Sequence, residues 1–268
     1  VSTEQCANGG VPTDQNVIPS PFNICKKLSG QDGYVGGAVK ESKAHWLVGN
    51  FIPIRSIITG LTVPGTYSVT YSFDTADSSR HSLDYLSSYN FTETNGPSDP
   101  IPPSNSTTHM NQHDPCGDVV NGCDPKNPTT TGTITIPSTL TTDYNAACAS
   151  DTFTGSPTLG SIVAWSAATD GTKTIGGVSN LSTVISDPDA SKINCPAKFT
   201  TTFNVSSGTT KVVLAWSVHV AANRNPGSGG YWGPNNASPD KGYHVNQVSG
   251  VDANGNTLPS IRLVKRFM

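Results

Sequence analysis

Polar and apolar residues alternate most regularly in Gly65-Thr-Tyr-Ser-Val-Thr-Tyr-Ser-Phe-Asp74, where Tyr67, Val69, Tyr71 and Phe73 share one parity and Ser or Thr fills the other. A period of two predicts a strand with one face in a core and the other in water. The preceding Thr59-Gly-Leu-Thr-Val-Pro-Gly65 has the composition of a turn, so residues 45–58 are predicted to form an earlier strand, paired with this one as an antiparallel hairpin. Pro53 predicts an edge or a break in that earlier strand. Further strands are predicted over residues 132–136, 161–165, 199–205, 212–220 and 261–267. The segment Lys211-Val-Val-Leu-Ala-Trp-Ser-Val-His-Val220 is apolar on both parities, the pattern of a central strand covered on both faces with Trp216 in the core. Two sheets are therefore expected.

Helical periodicity is confined to one short candidate, residues 79–89, with Leu83 and Leu86 placed to pack on a sheet. Residues 95–131 and 223–242 are rich in Pro, Asn, Asp, Gly and Thr, and are predicted as long loops of the functional or interfacial kind. The fold class expected is all-β: an antiparallel β-sandwich, jelly-roll-like or Ig-like, with long disulfide-braced loops. Residues 1–40 are expected to be an N-terminal extension, 41–250 the sandwich core as one large or two fused domains, and 251–268 a C-terminal strand or tail.

Composition narrows the function. Only 13% of the 268 residues are charged and the formal net charge is −3, so no positive field is available for a phosphate backbone and nucleic acid is not an expected partner. No apolar run approaches the roughly 20 residues needed to cross a bilayer as a helix, and membrane insertion is not expected. The first residue is Val, as after removal of a signal peptide, and secretion to the extracellular space or cell surface is expected. Six cysteines, Cys6, Cys25, Cys116, Cys123, Cys148 and Cys195, form no Cys-x-x-Cys pair, and an even count of this kind predicts a disulfide framework in an oxidising compartment. Connectivity is open from sequence; nearest-neighbour pairing, Cys6–Cys25, Cys116–Cys123 and Cys148–Cys195, is favoured. Asn90, Asn105, Asn180, Asn204 and Asn236 stand in Asn-x-Ser/Thr sequons and are candidate glycosylation sites.

Candidate chemistry is sparse. There is no Gly-x-Ser-x-Gly elbow, no His-Glu-x-x-His and no phosphate-cradling glycine loop. No catalytic residue is assigned and no enzyme activity is expected. No cofactor is expected apart from calcium, for which Asp74, Asp77 and Asp84 offer oxygen ligands. His109, His113 and Asp114 are the alternative metal set, combining imidazole and carboxylate in one loop. Tyr231, Trp232, Tyr243 and His244 are binding candidates, since aromatic faces in a Gly-rich loop can stack on sugar rings. His81, His219 and His244 are weighed as a converging site and as separately hydrogen-bonded structural imidazoles, the latter favoured.

Three stretches resemble a poorly characterised class of secreted microbial β-rich cell-surface proteins. They are Arg80-His-Ser-Leu-Asp-Tyr-Leu-Ser-Ser-Tyr89, Asp114-Pro-Cys116 with Gly122-Cys123, and Leu214-Ala-Trp-Ser-Val-His219 with Trp232-Gly233 and Tyr243-His244. The resemblance implies a β-rich extracellular module of cell-envelope or adhesive proteins, with no catalytic activity attached. Together these readings predict a structural subunit of an extracellular assembly, such as a filament, sheath or surface layer, with other copies of the chain as its partner. The alternative is an adhesin or carbohydrate-binding module with glycan as the partner.

Overall fold

Tyr67, Val69, Tyr71 and Phe73 lie buried on one face of the strand Gly65–Asp74, while Thr66, Ser68, Thr70 and Ser72 turn away from the core. The computed structural model in which this is seen describes residues 1–7, 22–23, 26–27, 33–36, 51–77, 80–89, 115–116, 120, 127–135, 161–172, 174–186, 188–192, 194–220, 223–224, 231–232 and 244–258. Among the described residues there is no helix. The longer strands are β1 (Ser2–Cys6), β5 (Phe51–Thr59), β6 (Gly65–Asp74), β9 (Leu83–Ser87), β10 (Thr130–Thr135), β11 (Ser161–Ala167), β12 (Val178–Ile185), β13 (Pro196–Val205), β14 (Lys211–Val220) and β17 (Val245–Val251). Short ribbons complete the set: β2 (Phe22–Asn23) with β3 (Lys26–Lys27), β7 (Ala76–Asp77) with β8 (Arg80–His81), and β15 (Asn223–Arg224) with β16 (Tyr231–Trp232). The two-residue β4 (Tyr34–Val35) pairs with β1.

One eleven-stranded sheet runs in the order β17, β6, β13, β12, β10, β11, β14, β5, β1, β4, with β9 also paired to β14. Its core-facing side is continuous, so the sheet curls into a half-barrel about its own apolar face. The strand β10 makes the curl. Residues 130–133 pair antiparallel with β11, and residues 134–135 then pair parallel with β12. Two separate antiparallel sheets are thus replaced by one mixed sheet. Gly132 sits at the transfer point, where a Cβ would lie 2.0 Å from the carbonyl oxygen of Leu181. Only glycine lets the two backbones approach so closely.

The expected hairpin of residues 45–58 with 65–74 does not form. β5 pairs along its whole length with β14, from Phe51↔His219 to Thr59↔Lys211, and β6 pairs with β13, from Gly65↔Val205 to Asp74↔Pro196. The turns after β5 and β13 therefore carry the chain from one half of the curl to the other, side by side, with Leu61 N–H donating to Thr210 O at 3.4 Å. Gly60 (φ 74°) and Gly208 (φ 84°) supply the left-handed backbone that these corners need. β5 is also no edge strand, since β1 covers its other side. Pro53 is tolerated because β1 pairs only with residues 54–57, one position beyond it.

The predicted helix over residues 79–89 is β8 and β9 instead. A register shift between His219 and Val220 lets Leu83 and Leu86 both be buried although they differ in parity. A β-bulge thus imitates the i, i+3 spacing of a helix. Inside the curl Tyr71 stacks on Phe199 (ring centroids 4.9 Å apart), and Trp216 closes on both, at 4.7 Å from Tyr71 and 5.5 Å from Phe199. β14 is buried on both faces, as its pattern predicts. Val212, Leu214, Trp216 and Val218 face this core, while Val213 and Ala215 join Trp165, Ala167, Cys116 and Val120 on the other side.

Candidate functional site

The densest polar cluster among the described residues is built around Asp74, where β6 ends. Phe73 pairs with Val245, so the residue before β17, His244, is brought beside Asp74 across 170 positions of sequence. His244 Nδ1 lies 2.7 Å from Asp74 Oδ2, and the same oxygen accepts the His244 backbone N–H at 3.0 Å and Asn194 Nδ2 at 3.2 Å. The main chains close the contact from the other side, Asp74 N–H donating to His244 O at 3.0 Å. Both side chains are mostly withdrawn from solvent, at 10% exposure for Asp74 and 20% for His244.

Two hydroxyls stand next to this pair, and both are spent on carbonyl oxygens. Ser82 Oγ donates to Asp74 O at 2.7 Å and Thr75 Oγ1 to Cys195 O at 2.5 Å. Cys195 itself takes a positive φ of 44°, which turns the chain so that Asn194 O accepts Ala76 N–H at 3.2 Å. The chemistry on view is a brace: one carboxylate ties β17, the end of β6 and the turn before β13 together through charge-assisted hydrogen bonds. A nucleophile–imidazole–carboxylate relay would need a hydroxyl donating to the imidazole, and neither Ser82 nor Thr75 is oriented that way.

A second node holds the N-terminal strand. Arg55, 3% exposed, gives Nε and Nη2 to Glu4 Oε2 at 2.9 and 2.6 Å and Nη1 to Pro115 O at 3.1 Å. Its guanidinium also lies 4.2 Å from the ring centroid of Tyr34. β1, β4, β5 and the Cys116 segment meet on this one cation.

The candidates read from sequence scatter. Asp74 and His244, assigned there to calcium and to ligand binding respectively, come together as one hydrogen-bonded pair. Asp77 and Asp84 lie in β7 and β9, but only their backbones are described. Among the described residues no group of three or more His, Cys, Asp or Glu is placed to hold a metal ion. His109, His113, Asp114 and Tyr243 lie outside the described residues. Tyr231 and Trp232 form β16, opposite Arg224 and Asn223 of β15. His219 makes ring contact with Phe51, centroids 4.8 Å apart. Of the sequons, Asn180 is exposed in a left-handed conformation (φ 50°) and Asn204 accepts a hydrogen bond from Thr66 Oγ1 at 2.9 Å. Asn90, Asn105 and Asn236 lie outside the described residues. Cys6, Cys116 and Cys195 are each disulfide-bonded, whereas Cys25, Cys123 and Cys148 are outside the described set. Asn194 and Glu4 had no signal in the sequence, because their importance comes from partners 120 and 51 positions away. No family model, curated protein or solved structure matches this chain.

Proposed function

We propose that the chain is a structural subunit of an extracellular assembly, a filament, sheath or surface layer, whose copies associate through the β17 side of the curled sheet. The observation that carries this reading is the surface there. β17 ends the strand order, pairing with β6 and otherwise, among the described residues, only through a bridge from Val251 to Thr257. It presents Val248 and Val251, 45% and 40% exposed. The adjoining outward positions of β6 and β13 are Thr66, Ser68, Thr70 and Ser72, then Lys198, Thr200, Thr202 and Asn204, with Lys198 the one charge among them. A hydroxyl-rich face with a single lysine, beside an edge that no further described strand covers and that carries valines, has few of the charges by which monomeric β-proteins repel edge-to-edge pairing.

An oxidising, extracellular setting fits the three disulfide-bonded cysteines. In this reading the cystines brace the long loops, the curl serves as the two-layer core of a jelly-roll-like or Ig-like sandwich, and the kinship is with secreted microbial surface proteins. Size-exclusion chromatography with light scattering, followed by electron microscopy of the full chain over a range of concentrations, tests it. Ordered oligomers are expected, and Val248→Lys with Val251→Lys should leave a folded monomer. A wild-type chain that stays monomeric throughout overturns the proposal. The second reading, an adhesin or carbohydrate binder, is favoured by the β15–β16 ribbon, which carries Tyr231 and Trp232 next to each other. Glycan-array binding by the charged monomeric variant would establish it.

A further inference from the structure

The apolar interior contains polar atoms that the protein itself leaves unsatisfied. Tyr71 Oη, Trp216 Nε1 and both amide atoms of Gln247 are buried without a hydrogen-bond partner. The three residues share one wall. Gln247 is the cross-strand partner of Tyr71, which places both side chains on the core face of adjacent strands, and the Tyr71 ring lies 4.7 Å from that of Trp216. Their exposures are 0% for Tyr71 and Trp216 and 3% for Gln247. The Tyr71 hydroxyl faces Ser56 without closing a hydrogen bond of ordinary geometry, and the Ser56 hydroxyl is already paired with Thr3 Oγ1 at 2.7 Å.

A buried donor or acceptor with no partner costs about as much as several ordinary hydrogen bonds contribute, and proteins meet that cost with enclosed water. We infer that the core between β6, β14 and β17 is an internal hydration site, holding one or two exchange-limited waters that bridge the Tyr71 hydroxyl, the Trp216 indole N–H and the Gln247 amide. The chemistry suits water. Two donors with rotatable or fixed N–H and O–H, one amide oxygen and one amide nitrogen provide the partners that a buried water requires. Among the described residues this wall bears no charge, and the Arg55–Glu4 pair sits on the opposite face of β5 from Ile54 and Ile58. The consequence is mechanical: the waters attach the edge strand β17 to the central strand β14 by hydrogen bonds, where side-chain packing alone would leave Gln247 opposed to an apolar core.

The test is water-to-protein NOE spectroscopy on the full chain, reading the Trp216 indole proton, assigned by its loss in Trp216→Phe. A direct cross-peak with the sign of a long-lived complex is expected, and its absence overturns the inference. A double-mutant cycle gives an independent reading. Tyr71→Phe and Gln247→Met should each lower the folding equilibrium constant by about tenfold, and the double variant should lose clearly less than the product, because shared water is lost once. A folding constant that rises in Gln247→Met, or strict additivity, shows a dry site and also overturns it. If Gln247→Met does not fold, the NOE on the wild-type chain decides alone.

Discussion

Trp216 combines the two demands that the interior makes on single residues. Its indole fills the space between Tyr71 and Phe199, and its flanking residues are buried on both faces of β14. Truncation leaves a large cavity with rigid walls on every side, so Trp216→Ala should lower stability by about 3–5 kcal/mol in denaturant titrations. An unchanged midpoint would contradict the central position of β14. Tyr71 adds a pH dependence. Burial pushes its phenol well above the ordinary tyrosine value, so the folded state keeps the proton after the unfolded chain has released it. Stability from this group is complete below about pH 10 and falls as pH rises further, by about 1.4 kcal/mol per unit until the folded value is reached. Alkaline unfolding curves should show this slope in the wild-type chain and a shallower one in Tyr71→Phe. Both residues stood out in the sequence as core positions. The lack of partners for their polar atoms did not, because it depends on what the opposite half of the curl brings to them.

At the scale of elements, the strands easily read from sequence are β6 and β13, with an unbroken period of two, and β14, a continuous apolar run. The ones missed have bulges. β12 shifts register between Ser179 and Ser182, and β17 between Gln247 and Ser249. In β12 the buried positions go from Val178 to Leu181, and in β17 from Gln247 to Gly250, steps of three in place of two. A bulge reverses the parity of everything after it, so the alternation cancels over a window of eight residues. β9 is the same effect in disguise, its step from Leu83 to Leu86 having the spacing of a helical turn. β1 was illegible for another reason: its inward residues are Thr3 and Gln5. The transfer strand β10 yields a sharp prediction. A methyl group at Gly132 would collide with the backbone of Leu181, which no side-chain rotation relieves. Gly132→Ala should therefore cost about 1–3 kcal/mol or more in thermal or chemical denaturation, comparable with severe overpacking. Gly255→Ala offers the comparison, because its φ of 80° is strained but nothing lies near its Cβ position.

On the scale of the whole molecule, two long-range ties hold strands at the ends of the sheet, the Arg55–Glu4 pair for β1 and the Asp74–His244 pair for β17, while Cys6, Cys116 and Cys195 are disulfide-bonded. Reduction under native conditions should lower stability by about 2–4 kcal/mol for each bridge broken, with the greatest loss from Cys195 if it closes the long loop to Cys148. Non-reducing mass spectrometry that finds free thiols on the folded chain would remove the basis for this. By itself, the sequence determined the class of the fold, the main core strands and the burial of Trp216, because these follow from local alternation and local apolar density. Only the tertiary structure decided which strands pair, that one mixed sheet curls where two were expected, and that Asp74 meets His244. Those outcomes rest on corners at Gly60 and Gly208, a close approach at Gly132 and three bulges, whose effects act between segments tens to hundreds of residues apart and leave no periodic mark on either one.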